Sequence, residues 1–291
     1  MTDTAALFTT SKDGLKLHAR RYGPAITPRL PVVCLPGISR TVADFDDIAE
    51  VLTAKGDRTV YAFDYRGRGQ SDSDPNWQNY DVKVEIADVL DQLTALGIGE
   101  AVFFGTSRGG ILTMLVGMLR PAAIRGAILN DIGPVIDGRG LARIKGYVGK
   151  LPHPRTFEDG ASILKRISDS QFPAMSDEAW LRFARRTWRE GKSGLELTYD
   201  PNLMKPLEQV DLGAPLPELW PQFEALAHVP VLVLRGEHSD ILAHDTAVEM
   251  TRRHPNCRLV EVKDEGHAPF LADAPTQQDI LNFVEGIDGR A

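Results

Sequence analysis

The chain has 291 residues, 43% hydrophobic and 25% charged, a balance that excludes collagen-like, disordered and coiled-coil architectures. Its 33 Lys and Arg against 40 Asp and Glu give a net charge of −7, a field that repels nucleic acid and anionic membrane alike, so neither is expected as a partner. Cys34 and Cys257 are too few for a disulfide framework and suit a reducing, cytoplasmic setting.

No segment approaches the roughly 18 continuous apolar residues of a membrane-spanning helix. The opening MTDTAALFTTSKDG has neither a basic end nor an apolar run, so no secretory signal is expected. Leu7–Thr10 and Leu15–Tyr22 then read as a hairpin closed at Asp13-Gly14. Pro31–Leu35 is a short apolar strand ending at Pro36-Gly37. Phe45, Ile48, Val51 and Leu52 follow at helical spacing, with Asp44 as the candidate N-cap. Thr59–Phe63 is the next strand. Val82, Ile86, Val89, Leu90, Leu93 and Leu96 mark a long amphipathic helix. Ala101–Phe104 is a strand, Ile111–Leu119 an apolar helix, and Ile124–Leu129 a further strand. Unbroken apolar strands alternating with helices mean a parallel sheet covered on both faces. The pattern resumes with a strand at Val231–Leu234, a helix at Thr246–Arg252 and a strand at Arg258–Val262. A last helix carries Ile280, Phe283, Val284 and Ile287, with Pro275 near its first turn.

Between the two stretches the pattern changes. Residues 134–221 read as a helical insertion with no convincing strand, set into a core of residues 1–133 and 222–291. From Pro134 to Lys205 there are 13 Lys and Arg against 9 Asp and Glu, so this stretch carries +4 while the rest of the chain carries −11. Arg182, Arg186 and Arg189 are spaced for one helix face, either a solvated surface or an attractor for anionic substrates. Trp180, Trp188, Phe183 and Tyr147 are expected in the core or underside of the insertion.

Gly105-Thr-Ser107-Arg-Gly109 fits G-x-S-x-G where a strand meets a helix. A serine on that turn takes a strained backbone conformation, and its hydroxyl projects over the positive end of the helix. Serine is a weak nucleophile without a base. Of seven histidines, His267 alone follows a late strand, in Asp264-Glu-Gly-His-Ala-Pro-Phe270. The base needs a carboxylate to hold its tautomer. Asp240, in Arg235-Gly-Glu-His-Ser-Asp240, gives the nucleophile–acid–base order and is preferred. Asp131, at the end of the strand after the nucleophile helix, competes for the same place. Backbone N–H groups of Ile38 and Arg108 are the candidate oxyanion donors.

Other motifs carry less. Gly67-x-Gly69 lacks the third glycine of a dinucleotide fingerprint, no P-loop is present, and His238, Asp240 and His244 fit no zinc spacing, so neither cofactor nor metal is expected. Asp64-Tyr-Arg-Gly-Arg-Gly-Gln-Ser71 reads as a structural turn bracing its neighbours.

These motifs together resemble the α/β-hydrolase fold family along nearly the whole chain: the Pro36-Gly37 loop, Asp64–Ser71, the turn at Ser107, Arg235–Asp240 and Gly266-His267. The resemblance implies a mostly parallel eight-stranded sheet with a helical cap inserted after the sixth strand. It also implies Ser107, Asp240 and His267 as the triad, although some members take the acid from the position of Asp131. Ser107 departs from members with an aspartate nucleophile, Ala268 from meta-cleavage hydrolases with Trp after the histidine, Arg108 from perhydrolase-like members with Met, and Pro36 from members with His-Gly. The expected activity is hydrolysis of small carboxylic esters or lactones. The alternatives are cleavage of an amide or C–C bond, or perhydrolysis, with the same triad, and ligand binding without turnover.

Overall fold

The computed structural model describes residues 3–192 and 194–289. Strands β1 (Thr4–Thr10) and β2 (Lys16–Tyr22) form the expected hairpin. Strand β3 (Val32–Leu35) leads through a 3-10 turn over Val42–Phe45 into α1 (Asp46–Thr53) and β4 (Val60–Phe63). The N-cap here is Thr41, whose hydroxyl accepts from the Ala43 N–H, and not Asp44. Asp44 lies inside the turn, gripped at both oxygens by Arg40 at 2.5 and 2.6 Å.

Helix α2 (Val82–Ala95) is capped by Asp81 and followed by β5 (Ala101–Thr106), α3 (Arg108–Leu119) and β6 (Ile124–Asn130). The segment that follows holds α4 (Gly138–Tyr147), α5 (Phe157–Ser168) and α6 (Asp177–Thr187). It also contains a small antiparallel pair, β7 (Trp188–Gly191) and β8 (Gly194–Leu197), where no strand was expected. Arg189 therefore sits on β7, off the helix that carries Arg182 and Arg186. Short helices α7 (Lys205–Glu208) and α8 (Trp220–Glu224) lead back to the core. There β9 (Val231–Gly236), α9 (His244–Arg253), β10 (Cys257–Val262) and α10 (Ala274–Asp288) complete the chain. Among the described residues no helix is long and apolar enough to cross a membrane.

The main sheet runs β1-β2-β4-β3-β5-β6-β9-β10, with every pairing from β4 to β10 parallel. Its central strands β3, β5, β6 and β9 are buried on both faces, and alternate residues feed opposite cores. Phe103 packs with Leu112 and Phe223 on one side, while Phe104 packs with Phe45 and Val284 on the other. This is the mostly parallel eight-stranded sheet expected from the sequence. The chain crosses from β3 outward to β4 and then returns past β3 to β5. Loops leaving β3 and β5 consequently diverge, and a crevice opens at the carboxyl ends of those two strands.

Leu164, Trp180, Ala184 and Trp188 of the segment over the crevice are buried and continue the apolar cluster on that side of the sheet. Ion pairs dock it onto the core. Arg186 reaches Asp47 at 2.9 Å, and Arg143 grips Asp240 at 2.6 and 2.8 Å. Arg186 is thus occupied in docking and is not a free cation facing substrate. Beneath, buried Arg66 meets Asp88, Asp74 and Asp13, bracing the loop after β4 against α2 and the first hairpin.

Candidate active site

Ser107 stands between β5 and α3 with φ 51° and ψ −113°, a conformation that costs a non-glycine residue energy. The turn is tight because its glycines have no room for more. A Cβ on Gly109 would lie 1.9 Å from the Leu35 carbonyl oxygen, and one on Gly105 would lie 2.3 Å from the Gly109 oxygen. Both obstacles are backbone and cannot swing away. Gly109→Ala should therefore destabilise the protein by about 3 kcal/mol, read as a lower urea midpoint; an unchanged midpoint would mean that the turn has room for a methyl group. The Ser107 hydroxyl does not cap α3, which leaves it free for another partner.

That partner is His267. Its Nε2 lies 2.9 Å from Ser107 Oγ, and its Nδ1 lies 2.7 Å from Asp131 Oδ2. The acceptor at Asp131 places the ring proton on Nδ1, so Nε2 accepts from the serine hydroxyl. Asp131 is fully buried and takes two further hydrogen bonds, from the Gly236 N–H at 2.9 Å and the Ser239 hydroxyl at 2.6 Å.

Asp240, preferred from the chain order, is not brought to His267. Its carboxylate faces the inserted segment and is held at both oxygens by Arg143, while its backbone carbonyl accepts from the Gly140 N–H at 3.0 Å. The physical reason lies in the sheet. β6 neighbours both β5 and β9, so the residue just beyond β6 reaches the crevice directly. The loop after β9 instead contributes Ser239, one residue before Asp240, as a donor to Asp131. Sequence reasoning did not single out Ser239; its place beside Asp240 was the only signal. His244, on the first turn of α9, contacts Glu261 at 3.0 Å.

The Gly37–Ile38 turn borders Ser107 from the β3 side, with a Cβ on Gly37 falling 3.9 Å from Ser107 Cβ. Ile38 lines the same cavity as Ser107 and His267. Among the described residues neither the Ile38 N–H nor the Arg108 N–H donates to a protein acceptor. The Arg108 N–H is the first of α3, where no intrahelical carbonyl is available. The cavity measures about 100 Å³ and is walled on its far side by Phe172, Phe183 and Phe270, whose rings pack at centroid distances of 4.8 and 4.9 Å. Tyr147 from α4 and the Arg40–Asp44 pair complete the wall.

The His267 loop is fastened at several points. Asn130 donates to the Pro269 carbonyl at 3.1 Å, and Gln171 of the inserted segment accepts from the His267 N–H at 3.1 Å. Within the loop Glu265 accepts from the Phe270 N–H at 2.6 Å. Burial, with Asp273 nearby, pushes the Glu265 carboxyl up from 4.5 to about 7 against that hydrogen bond. An acid so raised binds more protons folded than unfolded between those values. Its contribution to stability is therefore full below about pH 4.5 and declines as pH rises to 7, by on the order of 3 kcal/mol. Glu265→Gln should flatten the fall in melting temperature between pH 5 and pH 8 relative to the native chain. Parallel pH curves for the two proteins would contradict the shift.

A family model described as the alpha/beta hydrolase family matches residues 32–278. The chain belongs to the alpha/beta hydrolase family. This hydrolase is 36% identical over 267 residues to the 3-hydroxybutyrate-oligomer hydrolase of Cupriavidus necator, covering 88% of this chain and 89% of that protein. It is 25% identical over 261 residues to the sn-1-specific diacylglycerol lipase ABHD11 of Danio rerio, covering 88% and 77%. The crystal structure of an alpha/beta hydrolase from Novosphingobium aromaticivorans superposes with a TM-score of 0.90 at 38% identity, covering 98% of this hydrolase and 99% of that chain.

Proposed function

We propose that this hydrolase cleaves small carboxylic esters or lactones through an acyl-enzyme at Ser107. The observation that carries the reading is the continuous chain from Ser107 Oγ through His267 to the buried carboxylate of Asp131, opening into a cavity of about 100 Å³. His267 Nε2 takes the hydroxyl proton as Ser107 Oγ attacks the acyl carbon. Asp131 holds the ring and stabilises the imidazolium. The N–H groups of Ile38 and Arg108 take the charge on the carbonyl oxygen, helped by the positive end of α3. The alkoxide leaves with the proton from His267, and the same nitrogen then draws a proton from water as it attacks the acyl carbon. Ser107 departs with that proton, releasing the acid.

The cavity favours short acyl chains over long ones. The Cupriavidus necator relative is named for oligomers of 3-hydroxybutyrate, which are joined by ester bonds; it supports ester-linked short hydroxy acids as the first substrates to try. A fluorophosphonate probe should label Ser107 with one equivalent per chain, and labelled enzyme should lose turnover of these esters. A native protein that stays unlabelled while binding a small molecule tightly would point to ligand binding instead. Clear preference for an amide or a β-diketone over matched esters would overturn the choice of bond.

A further inference from the structure

The loop after β4, Asp64–Ser71, supplies no group to the proposed chemistry, yet two of its side chains run to the peptides beside Ser107. Tyr65, fully buried, donates its hydroxyl to the Pro36 carbonyl at 3.1 Å. Arg68 Nε donates to the Ile38 carbonyl at 2.8 Å, and its Nη1 donates to the Arg66 carbonyl at 2.8 Å. Between those two carbonyls, the Gly37 carbonyl accepts from the Arg40 N–H at 3.1 Å. All three carbonyls of Pro36-Gly37-Ile38 are therefore tied down. Because a peptide unit is planar, fixing the Gly37 carbonyl and its neighbours also fixes the direction of the Ile38 N–H.

Glu85, on the buried face of α2, lies behind this arrangement. Its Oε1 is 2.7 Å from Arg68 Nη1, and both side chains are essentially inaccessible. The contact is one of charge, outside hydrogen-bond geometry. The other oxygen, Oε2, is 3.6 Å from Nη1 of Arg108. One carboxylate thus faces the arginine that grips the Ile38 carbonyl and the arginine whose own N–H is the second oxyanion donor. A buried carboxylate is retained only with such compensation, and here the compensation comes from both sides of the oxyanion site.

We infer that Arg68 and Glu85 are positioning residues that hold the two oxyanion donors, the Ile38 and Arg108 N–H groups, in fixed relation, with Tyr65 securing the Pro36 end. The inference rests on the acyl-enzyme reading given above. Donors aimed in advance at the developing oxyanion act on the transition state and leave the bound ester almost untouched. Loosening them lowers kcat more than it changes KM.

The test uses Arg68→Lys in the full-length protein, with concentration set by fluorophosphonate titration of Ser107. Lysine keeps the positive charge beside Glu85, but one ammonium cannot reproduce the planar fork that reaches two carbonyls. Removing an oxyanion donor outright costs about 10²–10³-fold in kcat, so a donor left in place but loosened should cost about 10-fold, with KM within about 3-fold. The affinity for a trifluoromethyl ketone, which forms a tetrahedral adduct, should fall by the same factor as kcat. The pH profile should keep its shape, since His267 and Asp131 are untouched. Tyr65→Phe keeps the ring and deletes one hydrogen bond; it should show the same split at about 3-fold and serves where Arg68→Lys does not fold.

Wild-type kcat and ketone affinity in the folded variants would overturn the inference, as would equal loss in kcat and 1/KM. A wild-type protein that takes no fluorophosphonate, or a Ser107→Ala protein that keeps its turnover, would remove the acyl-enzyme reading and the inference with it. Labelled wild type and inactive Ser107→Ala beside an unaffected Arg68→Lys would remove the inference alone.

Discussion

Ser107→Ala should lower kcat on an activated ester by about 10⁴-fold or more while leaving KM and the melting temperature near their native values. The hydroxyl contributes nothing to the helix cap and among the described residues is bound only by His267, so its removal leaves few partners unsatisfied. Loss of the methyl-sized oxygen also relieves no strain, because the positive φ of 51° belongs to the turn and persists with alanine. The expected signature is thus a folded, substrate-binding protein without chemistry. Turnover retained in highly purified material would mean that another group attacks the acyl carbon.

Asp131→Asn should be nearly as damaging, about 10⁴-fold in kcat, for a different reason. An asparagine at this position still accepts from the Gly236 N–H, so the loop can hold its shape. Where the side-chain amide turns its NH₂ toward the ring, however, His267 must carry its proton on Nε2. That tautomer cannot accept from Ser107. Asp240→Asn, in contrast, weakens the bidentate contact with Arg143 and should alter kcat by less than about 10-fold. The partly exposed Arg143–Asp240 pair docks the segment above the cavity, so its loss should show first in KM. The two variants exchange their expected effects if the acid has been misassigned.

This acid was the part of the site least legible in the sequence. Both aspartates follow a strand of the main sheet, and composition cannot tell which side chain turns inward. The decision is made by groups far apart in the chain. Asp131 takes a left-handed conformation, φ 54°, which an aspartate tolerates, and meets donors from Gly236 and Ser239. Asp240 is drawn outward by an arginine 97 residues earlier. The turn at Ser107 was legible for the opposite reason. It is local: a short unbroken apolar strand gives way to a helix across two glycines that nothing larger could replace. The β-rich core was likewise readable from its unbroken apolar strands. The hairpin of β7 and β8 was not, because each strand has four residues and only Leu195 and Leu197 alternate inward around Glu196. Of the three-phenylalanine wall, Phe183 was expected in the core or underside of the insertion, whereas Phe172 and Phe270 were not foreseen, since the three come from separate segments and meet only in space.

The same contrast explains the loop after β4. Its arginines and glycines mark it as structural, and Arg66, paired with Asp88 and Asp74, fits that reading. What the pattern could not disclose is the reach of Tyr65 and Arg68 to the carbonyls on either side of Gly37. Those contacts span about 30 residues and depend on β3 and β4 lying side by side in the sheet.

The most direct measurement is a rapid-mixing experiment with p-nitrophenyl butyrate, following nitrophenol release in the first turnover and mapping the quenched protein by mass spectrometry. The expected result is a burst no larger than one equivalent per chain, with a butyryl group on the peptide that carries Ser107 and none in Ser107→Ala. Steady release without an acyl adduct at early times, or an adduct seated on any other residue, would contradict the covalent route through this serine.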